Sequence, residues 1–135
     1  MTAPRTPPNK PRAGGDPRAV ARRVLARVAD GGYATLTLHG ELDRAGLDPR
    51  DRALCAELVY GALRMRLRLD RALDACTTSG SLRVDDTVRD ALRLAAYQLL
   101  FTRVPAHAAV NDAVTAVKRL RGPGLGGLVN ALLHR

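Results

Sequence analysis

Four arginines lie close together near the start of the chain, on a stretch whose apolar residues have helical spacing. They are Arg18, Arg22, Arg23 and Arg27. Residues three or four apart share one side of a helix, so these guanidinium groups predict a basic helical face. Such a face follows backbone phosphates without reading bases. The competing interpretation is a solvated helix face, because all 22 basic residues except Lys10 and Lys118 are arginine, as a GC-rich coding sequence produces.

A second basic group stands in the middle of the chain. Its members are Arg64, Arg66, Arg68 and Arg71. If one helix continues through this segment, Arg64 and Arg68 are one turn apart and share a face with Arg71. The neighbouring acids Asp70 and Asp74 are spaced for local pairs with Arg68 and Arg71, which would use part of this charge. Arg64 and Arg68 join the first four arginines as candidate phosphate-contacting residues.

The side chains that usually carry catalysis form no constellation in this sequence. There is no glycine-rich phosphate loop, no HExxH sequence and no serine in a nucleophile elbow. His39, His107 and His134 are scattered along the chain. The pair Asp85-Asp86 opens a predicted helix, where carboxylates complement the helix dipole. The sequence therefore predicts no catalytic residue, no bound cofactor and no metal site.

Two cysteines and two asparagines occur in apolar surroundings. Cys55 and Cys76 form no CxxC or Cys/His cluster and are expected to be buried free thiols. Asn111 and Asn130 each have the chemistry to recognise a ligand. Such an amide more often caps a helix end or bridges two helices, which is the favoured interpretation here.

Composition and charge limit the possible partners. The chain has 135 residues and a formal net charge of +9, and aromatic residues make up 3%, which argues against an aromatic platform for single strands. Residues 1–28 contain seven basic residues and one acid, a net charge of +6, and the rest of the chain contributes +3. This charge favours a polyanionic partner, namely nucleic acid or an acidic membrane surface. Without an apolar run long enough for a signal or a membrane span, we expect a cytoplasmic protein with no membrane partner.

Apolar residues at helical spacing predict an all-α fold of about seven helices and no strand. The predicted helices run from 17 to the Gly31-Gly32 pair, then over 34–45, 50–66, 67–76, 84–102, 107–120 and 125–134. The segment 84–102 is apolar around much of its circumference, as a central helix must be. Residues 1–16 contain four prolines and almost nothing apolar, which predicts a disordered basic tail before one helical domain over 17–135.

Four segments in this order resemble a known family. They are ELVYGALRMRLRLDRAL (57–73), LRLAAYQLLF (92–101), VPAHAAVNDAVTAVK (104–118) and GLVNALL (127–133). Together they are similar to the NusB-like all-α RNA-binding domain, which the resemblance covers over about 17–135. YGALR and PAHAAV look like the version at the N-terminus of the RsmB (Sun/Fmu) rRNA cytosine-C5 methyltransferases rather than the free antitermination factor NusB.

The resemblance implies contact with ribosomal RNA through the basic first helix, and it carries this role to Arg18, Arg22 and Arg23, with Arg27 beside them. Methyltransferases of this kind also have a domain that binds S-adenosylmethionine, and these 135 residues contain no counterpart of it. We therefore expect no methyl transfer from this chain alone, although a methyltransferase domain is an expected partner.

Two other functions stay open at this point. One is a NusB-type antitermination factor that binds nascent RNA together with a ribosomal protein. The other is a helical protein-interaction module whose basic tail only promotes solubility.

Overall fold

The computed structural model describes residues 15–77 and 79–122, and every regular element in these residues is an α-helix. The six helices are α1 (Pro17–Ala29), α2 (Ala34–Ala45), α3 (Pro49–Arg64), α4 (Arg66–Ala75), α5 (Asp86–Phe101) and α6 (Ala106–Arg121). The all-α prediction is confirmed, and the first six predicted helices have closely similar bounds. The seventh, 125–134, and the tail up to residue 14 lie outside the described residues.

Aspartate caps start three of the helices. Asp16, Asp48 and Asp85 each accept a hydrogen bond from a backbone N–H two or three residues further along, at 3.1, 2.8 and 3.0 Å. Such a bond satisfies one of the free N–H groups of a first helical turn. In α1 and α3 a proline follows the cap directly, where its missing N–H costs nothing. The carboxylate of Asp85 thus has the helix-starting role that the sequence predicts.

Helix α5 is the centre of the bundle. Residues 90–98 are all buried, and α5 packs against α1, α3, α4 and α6. Helix α1 also packs against α2 and α3. Because α5 has neighbours around its whole circumference, any polar side chain in its middle must find a partner inside the protein.

At Gly61 the backbone of α3 lies against the side chain of Tyr97 in α5. A Cβ atom there would lie 2.1 Å from Cζ of Tyr97, so only glycine allows the buried tyrosine ring to lie on the α3 backbone. One turn later, the ring of Phe101 lies 5.6 Å from that of Tyr97, centroid to centroid. This contact holds Phe101 at the end of α5, where it is 41% exposed.

Arg93 connects α5 to α4 through charge. Its Nε and Nη2 donate to the two carboxylate oxygens of Asp70 at 2.7 and 3.0 Å, and its Nη1 donates to Asp90 at 2.9 Å. Burial opposes ionisation of Asp70, but the hydrogen bonds and charge of Arg93 outweigh it and lower the pKa of Asp70. Burial dominates at Asp90 and raises its pKa. The guanidinium of Arg93 therefore offsets the negative charge of two carboxylates at once.

The local pairs predicted within α4 are wrong. Asp70 and Asp74 face α5, where Arg89 lies 3.4 and 3.7 Å from their carboxylate oxygens. The α4 arginines Arg68 and Arg71 are exposed instead. The reason is burial, because the carboxylates stand on the side of α4 that packs against α5 and therefore pair with its arginines.

Candidate nucleic-acid interface

Three arginines converge on one carboxylate where α1 meets α2. Arg23 Nε, Arg27 Nη1 and Arg44 Nη2 lie 3.3, 3.0 and 3.0 Å from the carboxylate oxygens of Glu41. The Glu41 side chain is 9% exposed, whereas those of the arginines are 47, 60 and 62% exposed. We name these four residues the Glu41 cluster. It presents three guanidinium groups to solvent around one buried acid.

The Glu41 cluster keeps a positive charge despite its internal pairing. Burial favours the neutral acid, but hydrogen bonds from Arg44 and Arg23 outweigh it and lower the pKa of Glu41 below its ordinary value. Three guanidinium charges against one carboxylate leave a net charge of +2 at neutral pH. A guanidinium has five N–H donors, and each arginine spends one on Glu41, so donors remain for an anion. Glu41 also restrains the arginine rotamers, which lowers the entropy cost of binding.

The side chains of Arg22 and Arg18 bind residues of neighbouring helices. Arg22 Nη1 donates to Asp112 at 2.7 Å and joins α1 to α6, and its side chain is 18% exposed. Arg18 Nε donates to Gln98 Oε1 at 2.8 Å. Gln98 is fully buried in α5 and donates in turn to the carbonyl of Leu94. These two arginines therefore hold α1 in position beside α5 and α6.

Arg64 and Arg68 are exposed but do not share a continuous helical face. Helix α3 ends at Arg64, Met65 has φ −100° and ψ 15°, and α4 begins one residue later. The condition for a shared face, one continuous helix, is therefore not met, and the segment contains two separate helices as predicted. The guanidinium carbon of Arg68 lies 5.8 Å from the ring centroid of Phe101, so Arg68 covers part of an exposed aromatic side chain.

Sequence reasoning missed Glu41 and Arg44. Leu38, Glu41, Leu42 and Ala45 form the buried side of α2 at spacings of three and four. An acid in such a stripe indicates a buried carboxylate that needs cationic partners. That signal was present in the sequence, and it points to arginines on a neighbouring helix.

The predicted roles of the asparagines and cysteines have mixed outcomes. Asn111 is exposed, and its side chain bonds to no other residue within 15–77 or 79–122, so the expected helix bridge is absent there. Asn130 lies outside the described residues. Cys55 is a fully buried free thiol, and burial raises its pKa to about 11, so it stays protonated at neutral pH. Cys76 is half-buried.

The burial of Asp112 makes stability depend on pH. Burial raises the pKa of Asp112 above its ordinary value, although Arg22 opposes this shift. The folded state therefore binds the Asp112 proton more tightly than the unfolded state, and this contribution is lost as pH rises through the raised pKa. We expect the free energy of unfolding of wild type, minus that of Asp112→Asn, to decrease as pH rises from about 4 to about 7. Urea denaturation at a series of pH values measures it.

The matched control is Asp43→Asn, which removes an exposed carboxylate on α2. The free energy of unfolding of wild type, minus that of Asp43→Asn, should change little between about pH 4 and about pH 7. A difference for Asp112→Asn that stays constant or grows with pH contradicts the assignment of a raised pKa.

Within the described parts of the chain, no helix is long and apolar enough to cross a bilayer, and no three His, Cys, Asp or Glu side chains group as metal ligands. The ionisable side chains form ion pairs between helices and an arginine-rich surface on α1 and α2. The geometry thus defines an all-α domain with a basic face.

The sequence matches the NusB family over residues 16–135, and the chain belongs to that family. The resemblance found in the four ordered segments is therefore confirmed.

Several relatives carry the name ribosomal RNA small subunit methyltransferase B. The Pseudomonas putida protein is 38% identical over 122 residues, which cover 89% of this chain and 27% of that protein. The Thermus thermophilus protein is 47% identical over 121 residues, 90% of this chain and 30% of its own length. The Vibrio cholerae protein is 40% identical over 122 residues, which cover 87% of this chain and 27% of that protein. The chain therefore spans less than a third of the length of these relatives.

Proposed function

We propose that this chain is an RNA-binding domain that docks on ribosomal RNA through backbone phosphates. The observation that carries the proposal is the Glu41 cluster, in which three exposed guanidinium groups with a net charge of +2 are held in one place. Arginine binds phosphate oxygens through paired N–H donors, and each released counterion adds to affinity. A basic cluster fixed by an internal carboxylate is suited to this task.

The six predicted arginines divide into two roles in this proposal. Arg23, Arg27, Arg64 and Arg68 are exposed and contact phosphates directly. Arg18 and Arg22 hold α1 against α5 and α6 and so fix the position of the basic face. Arg44 joins the contacting set because it shares the carboxylate of Glu41 with Arg23 and Arg27.

Ribosomal RNA is the proposed partner because the relatives are named for small-subunit ribosomal RNA methylation. Binding, rather than methyl transfer, is the role that we propose for these residues. The ionisable groups that lie close together on the described helices form ion pairs between helices, and such pairs serve the fold. A methyltransferase domain is the proposed partner that would carry out methyl transfer. The predicted cytoplasmic location stays a prediction.

Salt dependence of RNA binding tests the proposal. With four to six phosphates contacted, the slope of log affinity against log salt is expected to be about −3 to −5. Filter binding of small-subunit ribosomal RNA fragments to the purified chain, at several salt concentrations, measures this slope. Affinity that is micromolar or weaker, with no dependence on salt, contradicts the proposal.

The same titrations separate this function from antitermination. Tight binding by the chain alone supports the proposal. A requirement for an added ribosomal protein before any fragment binds contradicts it and favours a NusB-type antitermination factor.

A further inference from the structure

A second basic surface lies where the start of α1 meets α3 and the end of α5. An open groove of about 710 Å³ is formed there, within the roughly 300–1,000 Å³ typical of ligand clefts. Arg18, Arg50 and Arg103 line it together with Phe101 and two acids, Asp51 and Glu57. It differs from the Glu41 cluster in containing an exposed aromatic ring.

The charges of this groove are available to a ligand. Arg50 and Arg103 are exposed, and neither pairs with a carboxylate elsewhere in 15–77 or 79–122. Arg18 is held at the groove by its hydrogen bond to buried Gln98. Two guanidinium groups without an internal partner have all their donors left for an anion.

Phe101 gives the groove an apolar surface beside those charges. Its ring is held from inside by Tyr97 and lies 5.8 Å from the guanidinium carbon of Arg68, yet the residue is 41% exposed. Aromatic rings and guanidinium planes are the two surfaces on which proteins stack unpaired bases. A single exposed apolar residue is ordinary on a protein surface. A ring restrained by Tyr97 and Arg68, in the same groove as two exposed arginines, is a more specific arrangement.

We infer that this groove binds one unpaired nucleotide of the RNA, with its base against Phe101 and its phosphate on Arg50 and Arg103. A base within a duplex is stacked between its neighbours and paired with the opposite strand, so it cannot lie against the ring. This inference rests on the proposed function and adds to it a preference for single-stranded or looped RNA.

Two variants test the groove with a single-stranded RNA of about a dozen nucleotides and a fully paired hairpin of similar length as probes. Phe101→Leu keeps an apolar side chain and removes the ring, so affinity for the single strand should fall about fivefold or more. Affinity for the hairpin should be unchanged, because backbone contacts do not use the ring. Arg103→Gln should weaken single-strand binding and reduce its salt slope by about 0.7.

Matched controls come from neighbouring positions outside the groove. Leu100→Ala removes an exposed apolar side chain beside Phe101, and Arg119→Gln removes an exposed arginine from α6. Neither should alter the ratio of single-strand to hairpin affinity. Circular dichroism and the urea midpoint confirm that each variant is folded.

The outcomes separate the two proposals. If wild type binds both probes with a salt slope and Phe101→Leu loses neither, the groove inference is overturned while RNA binding stands. If Phe101→Leu weakens both probes equally, the ring supports the fold rather than a base, which also overturns the inference. If wild type binds neither probe nor the ribosomal fragments, the proposed function itself fails.

As an independent measurement, photo-crosslinking with 5-iodouracil in the single strand should attach RNA to the peptide that contains Phe101. Crosslinks that map only to other helices overturn the inference even if affinity falls in the variant.

Discussion

Replacing Arg23, Arg27 and Arg44 with glutamate together is expected to weaken binding to ribosomal RNA fragments about a hundredfold near 0.1 M salt. The cluster would change from a net charge of +2 to −4, since three positive side chains become negative while Glu41 stays. Each lost phosphate contact removes about 0.7 from the salt slope for single strands and about 0.9 for duplexes. Filter binding over a salt series should therefore show a slope smaller by about 2 to 3.

The variant should also lose stability, because the Glu41 side chain is 9% exposed and would keep a buried carboxylate without its three guanidinium partners. Circular dichroism under the binding conditions shows whether lost binding is separate from lost folding.

A triple variant of equal charge change is the control. Arg71, Arg83 and Arg119 are exposed on α4, the loop before α5, and α6, and none of them touches Glu41. Their replacement by glutamate changes the net charge of the protein equally and should cost much less affinity. Equal losses in the two triple variants would show that total charge, rather than the Glu41 cluster, attracts RNA, and would contradict the assigned interface.

Helix positions in this protein were predictable because their signals are local. Asp16 and Asp48 each stand before a proline and cap a first turn, and Gly46 has φ +65° at the end of α2. These residues act within one turn of the chain, so a reader of the sequence sees both the signal and its consequence. The central place of α5 was equally visible, because a helix that is apolar on all sides has to be surrounded.

Arginine partners were not predictable in the same way. Arg22 pairs with Asp112, which is 90 residues away, and Arg18 with Gln98, which is 80 residues away. Spacing within α1 says which arginines share a side but not which of them faces a neighbouring helix. That choice depends on how α5 and α6 pack on α1, so sequence reasoning grouped anchoring and exposed arginines together. Glu41 is the exception, since its place in an apolar stripe indicated buried charge.

Arg93→Met is expected to destabilise the fold by about 3–5 kcal/mol, which is the usual cost of removing one member of a buried ion pair. Methionine is similar in volume, so the loss comes from charge rather than from a cavity. Asp90 is 8% exposed and would keep a buried carboxylate without its guanidinium partner, and Asp70 would lose two hydrogen bonds. Urea denaturation at pH 7 measures the change in the free energy of unfolding.

The pH dependence of this loss identifies its cause. Without Arg93, burial meets less opposition and raises the folded-state pKa values of Asp70 and Asp90 relative to wild type, so protonation favours the folded variant more than it favours folded wild type. The deficit relative to wild type should therefore shrink as pH falls from about 7 toward about 4. The control Arg89→Met should lose less, because Arg89 is 3.4 Å from Asp70 and leaves the Arg93 bonds in place. Two outcomes would contradict this explanation. One is an equal loss of unfolding free energy in the two variants, and the other is an Arg93→Met deficit that does not shrink in acid.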